Sequence, residues 1–439
     1  MIPFAGPLQN GTDYEIWITK DDGTRLYGVQ YTYTPAPSPH PRRSQPNWVN
    51  ITSGRQALVE NAIEFSFTRI LNYIGYFSLL LPGSFDKDLL RYDNRVLFWR
   101  KPVGGQMSIA FEGLIRHRRT ISADGGISRL AAGYDLNYFL SGRVVAYNAG
   151  TAPADQTDQA DDMLVEIAKD NLGADAAAAR ALSTTFFSVA SSAAAGPTIE
   201  KKFSYRNVLD VMREISDAAR VAGTEVYFQI TPTTETKFEF RTYIGQLGRD
   251  RTSDSTTSKG IIIGLEYGNM AEVVLDEDAS EEINFIYSLG QGEGANRNVQ
   301  TAEDTARTGR SIFGRREGKI DSRAQSTDAA LVDSADAQLV RGRPRALVSS
   351  KKSFPQQQKR RFGERAEMKN YLTGKISKMA FGANILNVPG SVYGLDWDFG
   401  DRITATFDGR QFDALVRAVT VSIDQDGAES IDATLEAYL

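Results

Sequence analysis

The chain has 439 residues and a mass of 48.3 kDa, roughly three times the ~150 residues of a typical domain, so two to four domains are expected. Hydrophobic residues make up 41% and charged residues 24%, which excludes a disordered or fibrous chain, and a formal net charge of −5 excludes a globally basic nucleic-acid binder. With no cysteine and only two histidines, His40 and His117, disulfides, thiolate metal sites and multi-histidine metal sites are excluded as well.

The opening residues lack the charged start and long apolar core of a secretory signal. The most apolar run, residues 73–82, is about half the ~20 residues that a membrane-spanning helix needs. A soluble protein made in a cell's cytoplasm is expected.

Residues 1–150 read mostly as β-structure. Residues 16–18 and 26–33 flank Asp21-Asp22-Gly23, a turn that supplies the positive φ of a hairpin. Pro35, Pro37, Pro39, Pro41 and Pro46 then mark an extended loop, because proline cannot donate to a ladder. Residues 63–67 alternate apolar and polar; 73–81, 95–99 and 107–115 follow as further strands, and Asp124-Gly125-Gly126 turns into 127–130. Strands joined by short turns predict a barrel or sandwich.

The period changes after about residue 155. Residues 161–172 place Met163, Leu164, Ile167, Ala168 and Leu172 on one helical face, with Gly173 as the stop. An Ala/Ser-rich stretch spans 173–196. A clearer helix is expected over 205–222, capped by Ser204, burying Val208, Leu209, Val211, Met212, Ile215 and Ala219, and ended by Gly223. Strands are expected again at 225–230, 237–243, 260–265, 271–275 and 283–289, and a helix at 326–341. Residues 341–369 are polar and basic. In the last seventy residues Asp408-Gly409 joins 403–407 to 411–416, and Asp426-Gly427 joins 419–423 to 431–435, both read as two-residue hairpin loops. The expected fold class is therefore α+β, mostly β: a β domain at 1–150, a mixed α+β middle region at 151–345, and a basic connector with a second β domain at 346–439.

Chemistry-bearing motifs are sparse. Neither a phosphate-binding G-x-x-x-x-G-K-[ST], nor H-E-x-x-H, nor G-x-S-x-G is present. The cluster Gly290-Gln-Gly292-Glu-Gly294 follows a strand but precedes no amphipathic helix, so it reads as a turn and not a phosphate cradle. Asp276, Glu277, Asp278, Glu281 and Glu282 offer oxygens to a hard cation, yet lack the spacing of a calcium loop and read as a solvated turn. Carboxylate pairs for glycoside hydrolysis are available among 55 acidic residues, but none is singled out. His117, in Arg116-His117-Arg118-Arg119, reads as an exposed strand end, and His40 sits in the proline loop. No catalytic residue, metal ligand or cofactor is assigned. Arg341, Arg343, Arg345, Lys351, Lys352, Lys359, Arg360 and Arg361 are candidates for facing an anion such as DNA, with too few interleaved aromatics for a stacking platform.

Several segments, in order, are similar to one family. Glu64-Phe65-Ser66-Phe67, then Phe77 to Pro82 (FSLLLP), Val96 to Arg100 (VLFWR) and Phe111-Glu112-Gly113-Leu114-Ile115 resemble the first tube-like domain of the baseplate hub and tail-tip hub proteins of long-tailed phages and related injection machines. Gly133 to Asn137 (GYDLN) resembles the segment closing that domain. Leu395 to Ile403 (LDWDFGDRI) resembles the entry to a second tube-like domain, where Gly400 allows a tight turn and Asp401 caps it. The basic segment 341–369 falls outside the family pattern.

The resemblance implies two tail-tube-like β-barrel or sandwich domains flanking the middle region. It further implies a homotrimer forming a pseudo-sixfold ring that joins the tail tube and distal tail proteins to tip or spike proteins, with transient contact to DNA in the lumen. Candidate intersubunit residues, on strand edges completed by neighbours, are Glu64, Phe65, Phe67, Phe111, Gly113, Gly400, Asp401, Ile403 and Phe407. Two other classes stay open: a tip-associated cell-wall hydrolase, and a β-rich receptor- or carbohydrate-binding tail component, although the four tryptophans (Trp17, Trp48, Trp99, Trp397) do not cluster as a sugar platform.

Overall fold

A computed structural model describes residues 11–19, 57–59, 61–123, 126–146, 154–203, 205–234, 237–274, 276–278, 283–321, 345–347, 380–407 and 409–437, with short strands at 2–3, 28–30 and 47–49. The expected turn at 21–23, the proline loop with His40, the helix at 326–341 and the basic segment lie outside these residues, apart from Arg345–Leu347.

The first β region is an antiparallel sheet of β1 (Asp13–Thr19), β2 (Glu64–Ile70), β3 (Tyr76–Pro82), β4 (Arg95–Lys101), β5 (Ser108–Ala123) and β6 (Gly126–Asp135), in the order β2-β3-β6-β5-β4-β1. Alternation decides the faces: Phe65 and Phe67 of β2 and Phe77, Leu79 and Leu81 of β3 are buried, with more exposed residues between them. Their rings meet Phe98 and Phe111 at centroid distances of 5.4–6.1 Å, within the range of favourable aromatic contacts.

Strand β5 runs eight residues past the predicted end at 115. The ladder to β6 jumps between Ile115 and His117, a bulge at Arg116 that restores pairing, so His117 lies within the strand, opposite Ala132. Across this bulge Gly133 is indispensable, because a Cβ there would sit 1.7 Å from the Leu114 carbonyl oxygen.

The middle region contains α1 (Ala160–Asn171) and α2 (Val208–Val221). They pack on a hairpin of β7 (Val226–Thr234) and β8 (Lys237–Ile244), joined in parallel by Phe187–Val189. The apolar faces predicted for both helices are buried in one core with Phe203, Phe228, Phe238 and Phe240. Helix α2, however, starts three residues later than expected. Tyr205 has φ +50°, outside helical space, and the cap is Asn207, whose side chain accepts from the N–H groups of Leu209 (3.0 Å) and Asp210 (3.4 Å). Gly223, at φ +92°, follows the helix end as expected. The Ala/Ser-rich stretch is tied down by Asp161, whose carboxylate accepts from Ala193 and Gly196 N–H.

The remaining strands are β9 (Met270–Val274), β10 (Phe285–Leu289), β11 (Val299–Glu303), β12 (Glu317–Asp321), β13 (Ala380–Ile385), β14 (Arg402–Phe407), β15 (Arg410–Ile423) and β16 (Glu429–Ala437). Strands β10–β12 form a separate small sheet over Ile286 and Ala302. The glycine cluster 290–294 is the turn between β10 and β11. Asp276–Asp278 is a strand paired with Arg345–Leu347. The last β region runs β9-β13-β16-β15-β14, with Ile262–Gly264 and Asp250–Arg251 parallel to β14.

Residues 411–416 and 419–423, read as separate strands, form one 14-residue strand, β15, carrying a bulge between Val416 and Ala418. The buried Arg417 sits at this bulge with its guanidinium 3.0 Å from Glu436, so the cation that breaks the apolar run is neutralised inside the strand. The β15–β16 turn spans residues 424–428, longer than the two-residue loop expected, and the Asp424 carboxylate accepts from the N–H groups of Asp426 and Ala428. The result is mostly β, with β-structure on both sides of a helix-containing middle region.

Candidate interface network between the β regions

Residues more than 300 positions apart join the two β regions. Strand β2 pairs antiparallel with β15 from Phe65 opposite Ile423 to Ile70 opposite Ala418, making one continuous sheet. Thr68 and Thr420 face each other with hydroxyls 2.9 Å apart. Phe65 and Phe67 consequently share one core with Trp397, Ile403 and Val419.

Beside this seam lies a buried polar network. Arg100 Nε donates to Glu429 Oε1 (2.9 Å) and Tyr14 Oη (2.8 Å), Nη2 donates to Glu429 Oε2 (3.2 Å), and Nη1 donates to the Tyr393 carbonyl (2.7 Å). Tyr14, Thr12 and Asn387 also donate to Glu429. Thr12, Tyr14 and Arg100 come from the first region and Asn387, Tyr393 and Glu429 from the last. The alternation of β4 sends Arg100 inward at its end, as it does Phe98. Burial alone would lower the Arg100 pKa, but Tyr14 and Glu429 beside it raise it. Tyr14 is pushed well above its ordinary value by burial and by Glu429. Each of the three guanidinium nitrogens has an acceptor, and a buried ion pair hydrogen-bonded in this way specifies a junction instead of weakening it.

A second contact runs through Arg69, which lies 3.7 Å from the Asp398 carboxylate and 4.3 Å from the centroid of the Phe399 ring. The middle region attaches through two buried asparagines of the first region. Asn72 accepts from Phe228 N–H (2.9 Å) and donates to the Val226 carbonyl (3.2 Å). Asn137 accepts from Ile230 N–H (2.8 Å) and donates to the Tyr73 carbonyl (2.7 Å). These side chains satisfy the β7 edge where a neighbouring strand otherwise would. Helix α2 adds Arg220, paired with Glu225 at 2.8 Å and within the field of Glu436.

At the meeting of these contacts is a cavity of about 80 Å³ lined by Arg69, Phe111, Glu112, Asp135, Gln229 and Phe399, among others. It has room for a few water molecules. Glu112 is paired with buried Arg95 at 2.7 Å; burial pushes its pKa up to about 7 against the pull of that arginine. Asp135 is pushed up to about 8 by burial, against the N–H groups of Gly75 and Asn137 and the Arg69 charge.

The candidate intersubunit residues occupy four settings. Phe65, Phe67, Phe111 and Ile403 are core residues. Gly113 stands where a Cβ would lie 2.6 Å from the Phe77 ring. Glu64 and Phe407, at the ends of β2 and β14, are half-buried. Gly400 has φ +83°, and buried Asp401 accepts from Asp398 N–H (2.9 Å), capping the turn as expected, and from Arg249 N–H (2.6 Å). The β2, β5 and β14 backbones are paired on both edges within the chain. The eight basic candidates lie outside the described residues except Arg345, whose backbone is in the strand opposite Asp278. The Arg100–Glu429 network was not anticipated; its signal is an arginine and a glutamate at apolar-facing positions of strands. Among the described residues no group of three or more His, Asp or Glu side chains is placed to hold a metal ion, and no helix is long and apolar enough to cross a membrane.

The family described as Siphovirus ReqiPepy6 Gp37-like protein is matched over residues 49–435. Among solved structures, the chain is similar to the tail protein from Neisseria meningitidis MC58, at 11% identity and a TM-score of 0.50, covering 96% of each chain. It is also similar to the 43 kDa tail protein of prophage MuSo2 from Shewanella oneidensis, at 10% identity and a TM-score of 0.52, covering 87% of this chain and 95% of that one. At these identities the likeness is one of fold. No curated protein sequence matches the chain.

Proposed function

Because the chain belongs to the Siphovirus ReqiPepy6 Gp37-like family and shares its fold with phage tail proteins, we propose that it is a structural protein of the virion tail. In this reading it is the hub that joins tail tube and distal tail proteins to tip or spike proteins, working as a homotrimeric ring around the DNA channel, without a catalytic step.

The observation that carries the reading is the seam. The β2–β15 ladder and the Arg100–Glu429 network hold the two β regions side by side at a fixed angle. A closed ring requires such a fixed angle, since a hinge between modules would leave ring size undetermined. Three chains then present six β modules, a match for a sixfold tube. Residues 1–150 supply one module, residues 346–439 supply the other together with the strands at 250–251, 262–264 and 270–274 that join their sheet, and the rest of residues 151–345 the outer region. The core residues of β2, β5 and β14 shape the modules, while subunit contact falls to strands with an open edge, such as β9, which pairs only with β13 among the described strands. The basic residues between 341 and 361 are the candidates for meeting DNA.

Light scattering coupled to size exclusion tests this directly. The expected mass is about 145 kDa, three times the chain mass of 48.3 kDa, with threefold ring views in negative stain. A monodisperse monomer at micromolar concentration would overturn the hub reading.

A further inference from the structure

The strands β9-β13-β16-β15-β2-β3-β6-β5 make one run in which each strand is antiparallel to the next. The run continues into β4 only as far as Leu114, which faces Arg95, and the backbone of Ile115 is then taken by Asp93 and Asn94. From His117 to Ala123, β5 pairs with β6 alone among the described strands. The run therefore ends in two open edges, β9 in the last β region and residues 117–123 in the first. An open edge offers unpaired N–H and C=O groups to another chain.

The two edges are opposite in charge. Residues 116–123, RHRRTISA, hold three arginines and no acidic residue. Arg116 is paired with Asp93, whereas Arg118 and Arg119 are exposed and paired with no carboxylate among the described residues. Residues 265–278, LEYGNMAEVVLDED, which contain β9, hold five acidic residues and no basic one, with Arg345 opposite Asp278 across its ladder. Each edge also has exposed apolar side chains at one end. Ile127, opposite Ser122 near the β5–β6 turn, is 55% exposed, and Leu265 and Tyr267, on either side of exposed Glu266 just before β9, are 51% and 53% exposed.

We propose that these edges join between copies of the chain: residues 117–123 of one copy pair antiparallel with β9 of the next, a head-to-tail contact that closes the ring. The contact rests on the ring reading and names the surface that makes it. Strand direction supports it, because the two terminal strands of an antiparallel run of eight point opposite ways. Copies related by rotation about an axis along the strands then meet antiparallel, as at every step within the chain. Charge supports it as well. Each edge repels an identical edge and attracts the other, which selects a heterologous contact, the kind that generates rings, over a twofold one. The order along the edges also matches. Antiparallel pairing sets Arg118 and Arg119, at the start of the open stretch, beside the end of β9, from which the chain runs on into Asp276-Glu277-Asp278. It sets the β5–β6 turn, with Ile127, beside the turn that carries Leu265 and Tyr267.

Because the chain has no cysteine, cross-linking of the full chain tests the contact. Ser122→Cys and Tyr267→Cys, both at exposed positions, should together give covalent dimers and trimers with a short bismaleimide, in a ladder that stops at the trimer. Neither variant alone should give a product. Arg118→Glu combined with Arg119→Glu should raise the concentration at which the assembly dissociates by about tenfold or more, since like charges then meet across the interface, with the circular dichroism of the chain unchanged. A parent of trimer mass whose double-cysteine chain stays uncross-linked, or whose charge-reversed variant dissociates no more readily, would overturn the contact and leave the ring reading standing. Cross-linking of either single variant would overturn it too, since identical edges would then meet. A monomeric parent would overturn the ring reading and this contact together.

Discussion

Replacing Glu429 by alanine removes the acceptor on which Arg100, Tyr14, Thr12 and Asn387 converge. Arg100 would keep only the Tyr393 carbonyl and the Tyr14 oxygen, leaving a cation almost fully enclosed. Removing one partner of a buried ion pair costs about 3–5 kcal/mol, so Glu429→Ala should destabilise the chain by that amount. Arg100→Met, which strands the carboxylate instead, should cost a similar amount, softened by the hydroxyl and amide donors that stay on Glu429. The double variant removes both charges, and its loss should fall short of the sum of the singles by about 1–3 kcal/mol, as expected for residues in direct contact. Tyr14 and Asn387 would still have lost an acceptor, so full recovery is not expected. Urea unfolding followed by tryptophan fluorescence, at one fixed protein concentration, measures all four species, with Trp397 in the shared core as a reporter. Single-variant losses below about 1 kcal/mol, or losses that add to within roughly 0.5 kcal/mol, would refute the argument that this network holds the seam.

Two further outcomes follow from the geometry. Gly133→Ala should prevent native folding or cost more than about 3 kcal/mol, because the added Cβ would meet the Leu114 carbonyl at 1.7 Å and the overpacked atom is backbone; a soluble variant melting within about 2 °C of the parent would contradict the close approach. Stability should also fall as pH rises, on account of Asp135 and Glu112. Their folded values of about 8 and about 7 lie above the unfolded values near ~4, so the folded state holds the extra protons. Their contribution is fully present below about pH 4 and lost as pH climbs to about 8, at up to roughly 1.4 kcal/mol per pH unit for each group. Water reaching Asp135 through the cavity reduces its share. Urea midpoints between pH 5 and 8 should therefore slope less in Asp135→Asn and Glu112→Gln, and an unchanged slope in both would show that the two carboxyls ionise freely in the fold.

Local periodicity determined much of the architecture. The helix at 160–171 and the buried face of the helix at 208–221 follow from a 3.6-residue apolar repeat, and the strand alternation of 64–70 and 76–82 follows from a two-residue one. These signals depend only on neighbours along the chain. Helix α2 starts later than its apolar repeat implies because Tyr205 adopts a positive φ that no propensity announces, and the continuity of β15 through Arg417 depends on Glu436 beside it.

What the phenylalanines of β2 and β5 are for was likewise undecidable locally. An alternating strand shows that one face is covered, not by what, and Phe65, Phe67 and Phe111 lie in one core with one another and with residues of the last β region. Composition and motif order were enough to point to the family and to a mostly β chain. Only the tertiary structure could pair Phe65 with Ile423 and set Arg100 against Glu429, because a strand edge and a buried charge carry no mark of a partner more than 300 residues away.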